Sequence, residues 1–408
     1  MIPFSPPYIN DNVIKEVVDS LKSGWITTGP KVKELEYEIS QLVGLPNVLC
    51  VNSWTSGAIM MLRWLGLEKG DEVIIPSYTY CATALAVIHA GGIPVMVDVN
   101  DDFNIDVKSV EKAITSKTKA VLSVDFAGFP CDYSEIRELV ASEKITKLFK
   151  PTSEIQKKLG RILFISDAAH SLGATYKNKG IGHSCDISIF SLHAVKNITT
   201  AEGGAIVINM PKPFDNENLY GELRSMTLNC QTKDAFSKSQ SGNWKYDITG
   251  LGMKINMADV NAAIGLAQIK EYPTLLARRK SIFKKYSSEF KKFNWAIEPP
   301  MLTNEKESSY HLYPLRIKNI NEEQRDEIIS LISAQQIAVN VHFIPLPLLT
   351  YFKELGYSIK EHPKAYNNYK AEISLPIYPQ LTDESVALVI KTTIDCCEQV
   401  LNAVSKTV

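Results

Sequence analysis

Four short segments of the 408-residue sequence place reactive side chains beside strand-like apolar runs. The first is Asn52-Ser53-Trp54-Thr55-Ser56-Gly57, directly after Val48–Val51 and directly before the apolar, helix-like Ala58–Leu65. Backbone N–H groups and hydroxyls at such a helix start converge on one point, where the helix dipole favours an anion. The turn therefore reads either as a phosphate cup or as ordinary Ser/Thr helix capping. The second is Pro76-Ser77-Tyr78-Thr79-Tyr80, at the end of the next apolar run. Ligands of open α/β sheets bind at the carboxyl ends of strands, so an aromatic here either stacks on a flat heterocycle or simply packs. The third, Ser166-Asp167-Ala168-Ala169-His170, puts an acid immediately after an apolar strand. Burying that acid is costly without a partner such as a cationic ring nitrogen, unless it caps the next helix. The fourth is SLHAVKNITTAEGG, residues 191 to 204, with Lys196 a few residues past a strand. A lysine held there can lose its proton and form a Schiff base with a carbonyl, although an isolated lysine is ordinarily a surface residue.

Taken together the four segments narrow the chemistry. A phosphate cup, a ring stacker, an acid for a pyridinium nitrogen and a Schiff-base lysine are the parts that a pyridoxal phosphate site needs. Other chemistries lack their signatures: there is no GxGxxG after the first strand, no GxxxxGK[ST], no GxSxG and no HExxH. Seven scattered cysteines form no CxxC pair and read as reduced, buried thiols. The seven histidines form no ligand cluster, so no metal site is expected.

The elements that must position these residues follow from hydrophobic pattern. From about residue 30 to 210, short Val/Ile-rich runs alternate with amphipathic stretches, which predicts a three-layer α/β domain with a mostly parallel sheet. Strands are expected at Val48–Val51, Val73–Pro76, Pro94–Val99, Ala120–Asp125, Ile162–Ser166, Ile187–Leu192 and Ala205–Asn209. Ser142–Arg161 is basic and reads as a surface insertion. Helical pattern at Ala262–Ile269 and Leu275–Phe290 is expected to be interrupted at Pro273. Beyond it, strands at Tyr313–Ile317, Ala338–Phe343 and Ile373–Ile377 and helices at Glu322–Gln336 and Asp383–Ala403 predict a smaller α+β domain. The expected division is a large domain over residues 1–270 and a small one over 271–408. A net charge of −1 and the absence of a long apolar run or a signal-like start point to a cytoplasmic protein without nucleic-acid or membrane partners.

The ordered set ITTGP (26–30), VNSWTSGA (51–58), PSYTYCATA (76–84), SDAAHSLGA (166–174), SLHAVKNITTAEGG (191–204), MKINMADVNAAIGLAQ (253–268) and SLPIYPQLTDE resembles the DegT/DnrJ/StrS-type sugar aminotransferases. The resemblance spans about residues 26 to 384 and implies the aspartate-aminotransferase fold (PLP fold type I) and a homodimer with sites at the interface. By the same resemblance, Lys196 is the catalytic lysine, Asp167 pairs with the pyridine nitrogen, and His170 lies near the ring hydroxyl. Tyr80 stacks on the ring, Thr55, Ser56 and Ser191 hold the phosphate, and Asn256 reaches it from the neighbouring subunit. Two departures stand out: Trp54 within the cup, and Lys254-Ile255-Asn256 where relatives have NYR or YN.

The implied reaction is transfer of an amino group, from L-glutamate, to a nucleotide-linked 4-keto or 3-keto hexose in surface-polysaccharide or amino-sugar biosynthesis. A PLP-dependent sugar dehydratase and a non-catalytic regulatory relative are the alternatives, and the intact Lys196 favours transamination. Substrate specificity is expected from loops 24–30, 231–247 and 340–352, with Thr28 and His342 as candidate contacts.

Overall fold

In the computed structural model, which describes residues 1–232 and 245–405, seven of the apolar runs pair into one sheet. Its strands are β1 (Val48–Val51), β2 (Glu72–Pro76), β3 (Ile93–Val97), β4 (Thr118–Val124), β5 (Leu163–Asp167), β8 (Ile187–Ser191) and β9 (Gly204–Ile208), in the order β1-β9-β8-β5-β4-β2-β3. All neighbouring pairs are parallel except those involving β9, which runs against both β1 and β8. β1, β4, β5 and β9 are buried at every residue, as strands covered on both faces must be. One apolar core lies on each face: Ile39, Phe164 and Leu266 belong to one, and Met61, Ile165 and Leu223 to the other.

Between β5 and β8, β6 (Thr175–Tyr176) and β7 (Lys179–Gly180) form a small hairpin that pairs with β11 (Lys306–Glu307). In the C-terminal part, β10 (Ala296–Ile297), β12 (Tyr313–Ile317) and β13 (Glu372–Leu375) form a second antiparallel sheet. It packs with the helix Glu322–Ala334 and the final helix Asp383–Ser405 around a third core containing Phe283, Tyr313 and Val389. Ile2 also packs on that core and bridges to Ile337, which ties the chain's start to its C-terminal part.

Two expectations need correction. The helix expected to break at Pro273 is one continuous element, Asp259–Phe290. Its first half is buried on the central sheet through Ala262 and Leu266, and its second half is buried in the third core through Ile282, Phe283 and Tyr286. Anchorage at both ends outweighs a proline penalty of about 3 kcal/mol. The strand expected at Ala338–Phe343 does not form: within the segment only Asn340 makes a bridge, to Ser374. The 142–161 insertion, expected at the surface, is largely exposed and folds into two short helices, Glu143–Leu148 and Glu154–Leu159, anchored at a few buried residues. Gln156 is fully buried and donates to the carbonyls of Leu65 and Gly66. The buried Lys119 donates to the Lys150 carbonyl at 2.5 Å and pairs with Asp71 at 3.4 Å.

Candidate active site

The carboxyl ends of β2, β5 and β8 and the helix that follows β1 meet at a cavity of about 570 Å³. Thr55, Tyr80, Asp167, His170, Ser191 and Lys196 all line it, and so does His342. Segments up to 141 residues apart in sequence thus converge on one edge of the sheet, because parallel strands deliver all their carboxyl ends to the same side.

The cup is the start of a helix. Ser53 caps the helix Trp54–Trp64: its Oγ accepts the Ser56 N–H at 3.1 Å and lies 2.8 Å from the Ser56 Oγ. Ser53 and Thr55 line the cavity, whereas Ser56 stands behind them. Trp54 lines it too, with its indole Nε1 buried and without a hydrogen-bond partner. The helix start can lie this close to β9 only because residue 204 is glycine: a Cβ there would sit 2.8 Å from the backbone of Ser53 and Trp54.

Asp167 ends β5 and is 5% exposed. Thr83 Oγ1 donates to its Oδ2 at 3.0 Å and the Ala169 N–H to its Oδ1 at 3.2 Å. Burial pushes the carboxyl up to about 7, against those hydrogen bonds and the nearby Lys196 ammonium, which pull it down. Lys196 rides on the loop between β8 and β9. That loop is closed by the Leu192 N–H to the Gly203 carbonyl (2.9 Å) and the Thr200 N–H to the Leu192 carbonyl (2.8 Å). Burial brings the Lys196 ammonium down to about 8, partly offset by Asp167. Among the described residues its Nζ has no hydrogen-bond or ion-pair partner. Its neighbour Asn197 fastens the loop to the C-terminal half, donating to the Ser309 carbonyl at 2.9 Å while its Oδ1 lies 2.9 Å from His311 Nδ1.

Tyr80 is 60% exposed at the cavity rim, with its ring 5.9 Å from that of Phe343. His170 is buried between the rings of His311 (4.4 Å) and Phe343 (6.0 Å), and its Nδ1 is buried without a partner. Burial first, then the charge of Lys196, holds His170 well below the usual histidine range, hence neutral. His193 is exposed, 3.6 Å from Glu202.

Thr28 and Asn256 do not line the cavity. They meet each other, Asn256 Nδ2 donating to Thr28 Oγ1 at 2.5 Å, and Thr28 donates in turn to the Met257 carbonyl. Asp259 locks the same corner: its carboxylate accepts from the N–H groups of Gly29, Lys31 and Val32 and so caps the helix Pro30–Val43, whose own cap residue has no side chain. Of the three loops expected to set specificity, 24–30 lies in this corner and 340–343 lines the cavity, while most of 231–247 falls outside the described residues. Sequence reading also passed over Ser53, Thr83, His311 and Phe343. Ser53 lies within the cup segment and Thr83 one helical turn past Tyr80 within PSYTYCATA, whereas His311 and Phe343 carry no such local signal. No cluster of metal-ligating side chains occurs among the described residues.

A profile of the DegT/DnrJ/EryC1/StrS aminotransferase family matches residues 7–393. Spr1654 of Streptococcus pneumoniae, assigned as a sugar aminotransferase, superposes in its PMP form with a TM-score of 0.94 at 44% identity, covering 98% of this chain and 100% of that one. Its PLP form superposes at 0.93. The uncharacterised protein MJ1066 of Methanocaldococcus jannaschii is 38% identical, over 95% of this chain and 96% of its own length. The spore coat polysaccharide biosynthesis protein SpsC of Bacillus subtilis is 34% identical, over 97% of this chain and 96% of its own length. The chain belongs to the DegT/DnrJ/EryC1/StrS aminotransferase family.

Proposed function

We propose that the chain is a pyridoxal 5′-phosphate-dependent aminotransferase that moves an amino group from L-glutamate to a nucleotide-linked keto-hexose, with the ketone at C4 or C3. The observation that carries the reading is the pairing of Asp167 and Lys196 in one cavity beside a helix-start cup. The fit to the cofactor is chemical. A carboxyl that burial has raised to about 7 lacks a full cationic partner, and a protonated ring nitrogen would supply one. When bound, pyridoxal phosphate takes up the amino group and accepts the electrons released at the substrate carbon.

The chain's own groups do the rest. Asp167 keeps the proton on the ring nitrogen, and Thr83 and the Ala169 N–H hold its carboxylate in place. With the cofactor bound, Lys196 would be the residue that holds it through its amine. Near neutral pH a lysine brought down to about 8 spends an appreciable fraction of time as the free amine, and in that form it could act as the base that moves the proton at the substrate carbon. Ser53, Thr55 and Ser191, with the helix-start N–H groups and with Ser56 behind, receive the phosphate. Tyr80 would cover one ring face, and His170, which lines the cavity, would stand near the ring hydroxyl.

The same reading takes the active unit as a homodimer. Ile14, Leu21 and Leu251 are exposed apolar side chains suited to cover by a second copy. The Thr28–Asn256 corner, away from its own cavity, serves the neighbouring copy's phosphate and sugar. No helix among the described residues is long and apolar enough to cross a membrane, in keeping with a cytoplasmic enzyme of surface-polysaccharide or amino-sugar synthesis. The deciding experiment incubates the purified protein, pyridoxal phosphate and glutamate with a panel of nucleotide keto-sugars, and reads amino-sugar and 2-oxoglutarate by mass spectrometry. Formation of both is expected. Release of ammonia with no donor consumed would instead identify a dehydratase, and no turnover with any panel member would count against the reading.

A further inference from the structure

Behind His342, on the cavity wall contributed by the C-terminal part, stands a chain of two groups that no step above uses. His342 Nδ1 lies 3.0 Å from Ser374 Oγ, and Ser374 Oγ lies 2.5 Å from Glu372 Oε1. The other carboxyl oxygen, Oε2, accepts the His342 backbone N–H at 3.0 Å. Glu372 and Ser374 are fully buried on β13. The segment that carries the imidazole is held in place: Tyr78 donates to the His342 backbone carbonyl at 2.7 Å, Phe4 stacks on the ring at 5.3 Å, and Asn340 pairs with Ser374 through both backbone groups. Among the described residues, His342 Nε2 has no partner, while His342 lines the cavity.

We propose that Glu372 and Ser374 are positioning residues that decide which nitrogen of His342 carries the proton, and so whether the cavity is offered a donor or an acceptor at Nε2. The serine hydroxyl has one proton and must point one way. When Glu372 is ionised, both carboxylate oxygens accept: Ser374 donates to Oε1, Nδ1–H donates to Ser374, and Nε2 is bare. When Glu372 is protonated, its O–H donates to Ser374, Ser374 donates to Nδ1, and Nε2 carries the proton. Passage between the two states balances. The Nε2 proton leaves to a ligand or water, the serine proton moves to Nδ1, the carboxyl proton moves to the serine oxygen, and the negative charge is left on Glu372. No heavy atom needs to move.

The charges around the chain permit both states. Burial raises the Glu372 carboxyl to about 8, while its hydrogen bonds and the charges of Arg325 and Arg316 pull it down. Arg316 lies opposite Glu372 on the neighbouring strand, but neither arginine hydrogen-bonds or ion-pairs with it. Arg316 donates to Asn368, and Arg325 donates to Asp326 and to the Tyr369 carbonyl. Tyr78, the other titratable group that feels Glu372, is held well above the usual tyrosine range by burial and stays neutral. Around the imidazole, burial and the Lys196 charge hold His342 down to about 3, and His170 and His311 are held low in the same way. All three rings are neutral at working pH, so only the tautomer of His342 is free to change. On the proposed function, Nε2–H is suited to donate to a carbonyl oxygen and bare Nε2 to accept from a sugar hydroxyl.

The test reads the proton directly and needs no substrate. Protein labelled with ¹⁵N-histidine, with the His342 signals assigned by a His342→Gln variant, reports the tautomer by long-range ¹H–¹⁵N correlation. Wild type should be mainly Nε2–H one unit below about pH 8 and mainly Nδ1–H one unit above it. In Glu372→Gln the amide oxygen must face the His342 N–H, so its NH2 group faces Ser374, and Nε2–H should persist across the range. Ser374→Ala should break the link and leave His342 insensitive to pH around 8. A wild-type His342 with one tautomer from pH 6 to 9.5, or a Glu372→Gln protein that switches as wild type does, would overturn the proposal. Either result leaves the aminotransferase reading standing, because that reading fails only in the turnover assay.

Discussion

The cavity has two walls built in different ways. On one, Thr55, Tyr80, Asp167, Ser191 and Lys196 stand at strand ends or within five residues of them. On the other, His311, His342 and Phe343 stand on irregular segments held by contacts from far away in sequence, such as Asn197 to His311 and Tyr78 to the His342 carbonyl. Each wall carries one buried acid raised by burial, Asp167 to about 7 and Glu372 to about 8. The strand-edge wall has a free lysine and a cup for an anion, so it is built to hold a charged cofactor. The C-terminal wall has neutral imidazoles and aromatic rings, so it is suited to discriminating a second, polyhydroxylated molecule. Perturbing the first wall should harm both half-reactions, whereas perturbing the second should harm only the one that uses the sugar.

The largest break in that comparison is Lys196→Ala. Loss of the group that moves the proton should lower turnover on the order of 10⁴-fold. Calorimetric affinity for a nucleotide keto-sugar should change far less, because the C-terminal wall is untouched. A variant turning over within tenfold of wild type would remove Lys196 from its role.

Asp167→Asn comes next, and its effects on activity and on stability have opposite signs. With cofactor, the variant cannot hold the ring proton and should lose most activity. Without cofactor, it should be the more stable protein. The folded-state value of Asp167 lies above its unfolded value, so the fold favours the protonated form. The resulting cost is absent below about pH 4, grows as pH rises and is complete above about pH 7, where it amounts to about 4 kcal/mol. Urea denaturation of the cofactor-free proteins should show the variant's advantage widening by about 2 kcal/mol between pH 5.5 and 8. Saturating pyridoxal phosphate should erase that advantage. Glu372→Gln should gain in the same direction over a window about one unit higher, and there cofactor should make no difference. If cofactor erases both gains, the two walls are one electrostatic unit.

The same contrast explains what was legible in the sequence. The position of Lys196 and Asp167 at the cavity is legible because strand ends announce themselves locally: a Val/Ile run followed by a reactive residue puts that residue at the carboxyl edge of a parallel sheet. Ser53 lay in plain view within the cup, but its capping bond to the Ser56 N–H depends on where the helix begins, which pattern fixes only to within a residue or two. The C-terminal wall had no such signal. Glu372 and Ser374 sit in a short strand whose pairing to residue 340 is set by the second sheet, and the irregular segment carrying His342 reads as a strand from composition alone. Pro273 misled for the same reason, since local propensity opposed a helix that burial at both ends keeps whole. The Thr28–Asn256 corner shows the limit most sharply: its bonds run over 228 residues and depend on Asp259 capping a helix that begins at Pro30.

The smallest effect sharpens the boundary between the walls. Phe343 belongs to the C-terminal wall, yet its ring lies 5.9 Å from Tyr80 and 6.0 Å from His170, on the cofactor side. Phe343→Leu keeps most of the volume and removes the aromatic contacts, worth about 1 kcal/mol in all. If the ring serves the sugar, KM for the keto-sugar should rise about fivefold. The half-reaction with glutamate, followed in a single turnover by absorbance of the cofactor, should then stay within twofold of wild type. Should the glutamate half-reaction slow by the same factor instead, Phe343 acts by holding Tyr80 and His170 against the cofactor, and the boundary between the walls runs behind Phe343 at His342.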